Sequence, residues 1–323
     1  MDTFFKNLTE AIKNHDEIIL MAHKNIDLDA FGSCLCLYKI VESFHKKCFI
    51  ILNKEVNDSV KKTLQKITEN NQEIQYITEP KTLKQINEKT LLIVLDTHKE
   101  ELVESPILLD KIENKIVIDH HIKSKNYIKN TMITYINSTI SSTVEILVSY
   151  LKYLNKTVDF LTATIMLAGI EIDTNSFNIK TTSSTYETAS FLSNLGADNL
   201  VKRELLQENK DEYLKRQDLL KDAFMVNENM ALCILDDDIY SKEELARIAT
   251  ELLQFEDVEA GFSIGKIDNS IIGVSAKSMG NIDVENIMKQ LGGGGHMNNA
   301  AAQIENKTIS EIKKQLKNII NEE

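Results

Sequence analysis

The chain has no tryptophan, two prolines and eleven glycines in 323 residues, and no apolar run of about 18 residues. The last absence leaves no stretch of the length that a bilayer-spanning helix needs. Neither a low-complexity tract nor a fixed-period repeat is present, which excludes collagen-like and solenoid architectures. Positive charge is also short, with 37 Lys and Arg against 49 Asp and Glu, a formal net charge of −12. Such a chain does not coat long nucleic acid by counterion release. A small phosphorylated substrate is still compatible, because bound divalent cations can supply positive charge locally. The four cysteines, Cys34, Cys36, Cys48 and Cys233, form no CxxC pair and have apolar neighbours. They read as buried reduced thiols, in keeping with a reducing cytosol. The first seventeen residues are too polar and acidic for a secretory signal and read as an amphipathic helix with Phe4, Phe5, Leu8 and Ile12 on one side.

What is there is ordinary for a soluble globular protein, 42% apolar and 27% charged, at a length comfortable for two domains. Short apolar runs at 17–23, 48–53, 90–97 and 115–121 alternate with helical patterns at 30–44, 57–70, 141–154, 160–173 and 183–195. The runs are continuously apolar rather than alternating, as in strands covered on both faces of a parallel α/β sheet. Gly196 is placed to cap the helix before it. The charged, glycine-free stretch from Asp198 to Phe224 predicts one long connecting helix. Strand-like runs return at 229–236, 258–267 and 270–278, with a helix at 241–255 and a last helix opened by a Thr308–Glu311 capping box. The expected class is α/β in two domains. A doubly wound, mostly parallel sheet occupies 1–197, a linker helix 198–225, and a smaller α/β domain 226–323.

Acids and imidazoles collect where the apolar runs stop. MAHKNIDLDAFGS supplies His23, Asp27 and Asp29, LLIVLDT ends at Asp96, KIVIDHH ends at Asp119, His120 and His121, and Asp173 closes the helix 160–173. In a parallel sheet all carboxyl ends lie along one edge, where open α/β sheets bind ligands. A lone Asp at a strand end is commonly a turn or helix-cap residue. The combination of HxxxDxD with DHH favours a shared centre instead. The carboxylates besides Asp119, with His23 and one histidine of DHH, suit the hard oxygen and nitrogen shell of a two-manganese site. A bridging carboxylate permits the separation of about 3.5–4 Å used in two-metal hydrolysis.

These segments resemble the motifs of the DHH phosphoesterase superfamily, and GGGGHMNNAAA (292–302) resembles the glycine-rich hallmark of its DHH-associated C-terminal domain. That segment is absent from family II inorganic pyrophosphatases, and nanoRNases, pAp phosphatases and RecJ exonucleases carry it. LDTHKEELVES, NSTISSTVEIL, AGIEIDTNSF and GGGGH followed by NNAA are similar to the catalytic part of GdpP-type cyclic-di-AMP phosphodiesterases. The resemblance implies two Mn²⁺ ions, one held by His23, Asp27 and Asp96 and the other by Asp29, Asp96, His120 and Asp173, with Asp96 bridging. Asp119 would orient an imidazole instead of binding metal. His121 is either a phosphate contact and proton donor or a buried structural histidine, and His98 reads as a surface histidine. Asp27, Asp96, His120 and His121 are the residues on which turnover should depend.

Four consecutive glycines cost chain entropy, which suggests close approach of backbone N–H groups to an anion at Gly293, Gly294 and Gly295, although a hinge alone would also use glycine. His296 and the amides of Asn298 and Asn299 would join that contact, with Ala300–Ala302 as a turn. Ser275 and Lys277 of SAKS stand where relatives commonly show Ser-Arg near the substrate. The implied reaction is hydrolysis of cyclic di-AMP to 5′-pApA, with slower onward cutting to AMP. Short linear nucleotides such as pApA or pAp are the nearest alternative, and a nucleotide sensor without turnover is a more distant one. Expected partners are a cyclic dinucleotide or short oligonucleotide, no long nucleic acid, and a second copy by analogy with relatives. The expected location is cytoplasmic, with membrane tethering if the chain is the catalytic region of a longer protein.

Overall fold

A computed structural model describes residues 1–52, 56–124 and 126–322. It divides into two compact units, Met1–Gln207 and Glu208–Glu323. In the first unit the strands are β1 (Glu17–Met21), β2 (Lys47–Ile51), β3 (Tyr76–Ile77), β4 (Thr90–Leu95), β5 (Asn114–Asp119) and β6 (Ile133–Ile136). They form one sheet in the order β3-β2-β1-β4-β5-β6, with every pair parallel. The end of the run predicted at 48–53, Asn53, lies outside the described residues.

The continuous apolarity has its expected cause. Ile18, Leu20, Leu91, Ile93 and Ile118 bury one face against a core shared with the helices Asp2–Asn14, Leu28–Glu42, Thr143–Tyr153 and Phe160–Asp173. Ile19, Met21, Leu92, Val94 and Val117 bury the other against Leu108 and Leu109 of the short helix Pro106–Lys111. The chain order reverses between β1 and β4, and the carboxyl ends of strands at such a switch point are where open α/β sheets bind ligands.

The stretch 198–225 is not one helix. It forms Asn199–Leu206 and Lys210–Leu220, then the two-residue strand β7, Phe224–Met225. Gln207 and Asn209 both adopt extended backbone, and the Asn209 side chain accepts from the amides of Asp211 and Glu212. A capping asparagine in extended conformation starts a new helix and so interrupts the old one. The boundary between the units falls at this break.

In the second unit β8 (Met230–Ile239), β9 (Ala260–Lys266), β10 (Ile271–Ser278), β11 (Gly294–His296) and β12 (Asn299–Glu305) join β7 in the order β11-β12-β10-β9-β8-β7. Only β8 and β9 pair in parallel. Helices Val284–Gln290 and Ile309–Glu322 bury one face through Val274, Ala276, Ala300 and Ala302. The predicted alanine turn is therefore strand β12, whose alternating burial leaves Asn299 and Ala301 exposed.

Three of the four glycines have a reason in the fold. Gly292 follows the helix Val284–Gln290 at φ +82, as a helix-ending residue does. A Cβ at Gly293 would stand 2.2 Å from the Ala301 carbonyl oxygen, and one at Gly295 would stand 2.5 Å from Ala300 Cα. A Cβ at Gly294 meets nothing within 4 Å. Gly293→Ala is therefore expected to destabilise the second unit by about 1–3 kcal/mol in denaturant unfolding. Gly294→Ala should stay within about 0.5 kcal/mol of the parent.

Candidate metal centre

β1 runs into His23, and four residues later Asp27 caps the helix Leu28–Glu42 by accepting from Ala30 N at 3.0 Å. The bland expectation for an Asp at this place is thus met by one oxygen. The other, Oδ2, lies 3.7 Å from His23 Nε2. His23 donates its Nδ1–H to the Lys24 carbonyl at 2.7 Å, which leaves Nε2 as the nitrogen facing Asp27 and Asp96. Asp29, in the first turn of the same helix, is fully buried and bound by two main-chain donors, Thr143 N at 2.8 Å and Val144 N at 2.9 Å. Those amides open the helix Thr143–Tyr153, so a helix N-terminus offsets this carboxylate's charge.

Asp96 follows β4 with φ +62, a left-handed backbone that is rare outside glycine. Its Oδ1 accepts from the Thr143 hydroxyl at 2.8 Å and lies 3.4 Å from His120 Nε2, while Oδ2 lies 3.4 Å from His23 Nε2. One carboxylate thus addresses two imidazoles with different oxygens. His120 Nε2 is also 3.9 Å from Asp29 Oδ2 and 2.9 Å from Asp173 Oδ2. Two donor groups, His23–Asp27–Asp96 and Asp29–His120–Asp173, and a third made of Asp96, His120 and His121, each lie within ligand range of one another.

The electrostatics fit a cation. Burial, then the charge of Asp173, pushes Asp29 up to about 7. Burial and Asp27 do the same to Asp173, again to about 7. Burial and Asp29 hold Asp96 well above the usual carboxylate range. Burial pulls His23 down, but Asp27 and Asp96 together outweigh it and carry the ring up to about 12. His120 is buried, its Nδ1 has no partner, and its Nε2 makes no well-directed hydrogen bond although Asp173 Oδ2 stands 2.9 Å away. Acids that repel one another, crowded around an imidazole nitrogen they do not bond squarely, are the chemistry of a divalent-metal donor set.

Asp119 is buried between two histidines, accepting from His121 Nδ1 at 2.8 Å and from His98 Nδ1. Against burial, these bonds hold its carboxyl far below the usual range. It joins none of the donor groups. His121 is 47% exposed, which excludes the buried structural alternative. His98 is not a surface residue: it is 1% exposed, because the chain after His121 folds over it. Ser124 N donates to its Nε2 at 2.9 Å and Ile128 N to its carbonyl at 2.8 Å. Since Nε2 accepts there, the ring proton sits on Nδ1 and is donated to Asp119.

Two contributors had no sequence signal specific enough to single them out. Thr143 touches both Asp29 and Asp96. Glu145, 1% exposed, accepts through Oε2 from Ser141 N at 3.2 Å, Ser141 Oγ at 2.6 Å and Thr185 Oγ1 at 3.1 Å, fixing the turn that presents Thr143. Thr143→Val keeps the amide bonds to Asp29 and loses the hydroxyl on Asp96. Mn²⁺ affinity is expected to fall roughly 10- to 100-fold by calorimetric titration, with little change in the unfolding midpoint in chelator.

In the second unit the register places Lys277, Asn299 and His296 side by side across β10, β12 and β11. Asn298 sits in the turn between β11 and β12. Ser275 is 5% exposed, on the face where Ser263 hydrogen-bonds the helix Lys242–Leu252.

Residues 17–170 match the DHH family, N-terminal domain, and residues 227–322 match the DHHA1 domain. The chain belongs to the DHH family. Cyclic-di-AMP phosphodiesterase GdpP of Bacillus subtilis (strain 168) is 33% identical over 98% of this chain and 49% of its own length. The bifunctional oligoribonuclease and PAP phosphatase NrnA of Mycoplasma genitalium is 27% identical over 94% of this chain and 93% of its own. An exopolyphosphatase-related protein from Bacteroides fragilis shares the fold, with a TM-score of 0.81 at 21% identity over 100% of this chain and 96% of that one. The chain spans about half the length of the cyclic-di-AMP phosphodiesterase it matches.

Proposed function

We propose that this DHH protein is a Mn²⁺-dependent phosphodiesterase that opens cyclic di-AMP to 5′-pApA. The observation that carries the reading is Asp96, whose two oxygens address His23 and His120 on separate donor groups. The relatives at about a third identity bear that activity in their names. His23, Asp27 and Asp96 would hold one ion, and Asp29, Asp96, His120 and Asp173 the other. When bound, the ions supply the positive charge that acidifies a water and offsets charge on the phosphoryl oxygens.

The chain's own residues do the positioning. The helix N-terminus at Thr143 and Val144 fixes Asp29, and the Thr143 hydroxyl fixes Asp96. The Lys24 carbonyl holds the Nδ1 proton of His23, so Nε2, which faces Asp27 and Asp96, is the nitrogen that would give up its proton to a metal ion. Asp119, itself held by His98, fixes His121 through Nδ1, and exposed His121 would give a proton from Nε2 to the departing 3′ oxygen. Lys277, Asn299 and His296, with Asn298 and the Gly293–Gly295 backbone, would grip a second phosphate; Lys277 brings charge without the two-point fork of an arginine. Ser275 would act from beneath that row.

Initial rates with Mn²⁺ on cyclic di-AMP, cyclic di-GMP, pApA and pAp test this. The expected order has cyclic di-AMP first. A rate on pApA far above it would establish instead a short-oligonucleotide hydrolase, which the end-to-end alignment with NrnA favours. Tight binding of cyclic di-AMP with no product at saturating metal would make the protein a sensor.

A further inference from the structure

The segment just after Asp173 is strained and ends in an aromatic ring. Asn175, Ser176 and Phe177 have φ of +45, +58 and +65, three successive left-handed residues without a glycine. A bulky side chain in this region is an outlier, and such strain persists only when surrounding bonds overdetermine it. Here they do. Ser176 N donates to the Glu171 carbonyl at 2.8 Å, Phe177 N to Thr174 Oγ1 at 3.0 Å, and Asn178 N and Ile179 N both to the Thr174 carbonyl at 2.9 Å. Glycine or asparagine would make the same turn more cheaply at Ser176 and Phe177, so the ring is what the strain retains.

Phe177 stacks on Tyr186 with ring centres 5.7 Å apart and planes 14° from parallel. Tyr186 is 58% exposed, so one face rests on Phe177 while much of the ring meets solvent. The pair is tied to the donor cluster at both ends. Phe177 lies four residues beyond Asp173, which faces His120. Tyr186 adjoins Thr185, whose hydroxyl bonds Glu145, on the helix whose first residues hold Asp29 and Asp96. The positive charge of Lys180, in the same segment, reaches Asp173. A flat ring, a cation and a phosphate-binding centre within one short stretch suit a nucleotide, and the chain has no tryptophan to serve as the stacking surface.

Given the nucleotide substrate proposed above, we infer that the Phe177–Tyr186 pair is the stacking platform for a nucleobase whose phosphate lies at the Asp173 side of the cluster. Base stacking is sequence-tolerant, so this contact would favour nucleotides over base-free sugar phosphates without choosing among bases.

Calorimetric titration of the full chain with Mn²⁺ present, using AMP and ribose 5-phosphate, tests the platform without requiring turnover. AMP is expected to bind about tenfold or more tighter than ribose 5-phosphate. In Tyr186→Ala that preference should collapse towards unity, and Tyr186→Phe should restore it. Because Tyr186 is exposed, folding is not at stake, and the unfolding midpoint confirms it. Equal affinities in the parent protein, or an unchanged preference in Tyr186→Ala, would overturn the assignment. A preserved preference in a protein that cleaves none of the phosphodiesters would leave the platform standing and remove the hydrolase.

Discussion

Asp96→Asn should lose turnover on the order of 10³-fold or more while remaining as stable as the parent protein in chelator. On the proposed assignment Asp96 would act on both ions, so losing its charge would remove stabilisation from the ground-state assembly and from the transition state together, and the effect would exceed that of a positioning residue. Stability goes the other way for two reasons. The native backbone is left-handed at this position, and asparagine tolerates it better than most residues. The carboxyl is also pushed well above its usual range by burial and by Asp29, so an amide relieves repulsion in the metal-free protein. Asp96→Ala would share the loss of turnover but place a Cβ-bearing residue without that tolerance in a left-handed turn, and is expected to be the less stable variant. Parallel measurement of kcat and of unfolding with and without Mn²⁺ separates the effects. If Asp96→Asn kept parental kcat in Mn²⁺, Asp96 would not bridge anything.

The parts legible in the sequence were those written in side-chain chemistry. β1, β4 and β5 announce themselves because both of their faces are buried, leaving no polar alternation. The acids and imidazoles after them could be gathered on paper because parallel strands share a carboxyl edge. β6 and β12 were missed for opposite reasons. β6 is an edge strand with no fully buried residue, and β12 spends its inward positions on Ala300 and Ala302, too small to mark a strand. The Asp29 contacts were invisible because main-chain amides make them, and any residue type offers an amide. His98 looked like surface because nothing in its own neighbourhood buries it. The cover is Ser124 and Ile128, more than twenty residues away. The break at Gln207–Asn209 lay in a run with no glycine or proline, and only a capping asparagine marked it.

Removing divalent metal should do more than stop catalysis. Saturation at about one hundred times Kd stabilises a folded protein by about 2.7 kcal/mol. For a unit of this size that is roughly 5–10 °C in unfolding midpoint. The shift should also depend on pH with a definite sign. Asp29 and Asp173 titrate near 7 when folded, against about 4 in the unfolded chain. Between those values the metal-free folded state holds protons that the unfolded state has released, so its stability falls as pH rises from about 4 to 7. His23 extends the trend, since its folded value near 12 lies above the unfolded 6.5, and the stability it confers declines as pH climbs between them. Asp119, held far below the usual range, contributes a slope only in strong acid. Divalent metal takes the place of these protons, so its affinity rises with pH over the same window. Scanning unfolding at pH 5, 6, 7 and 8, in chelator and in Mn²⁺, should show a falling chelator series and a gap that widens at each step. A chelator series that rose with pH would mean that Asp29, Asp96 and Asp173 do not crowd one another as the geometry requires.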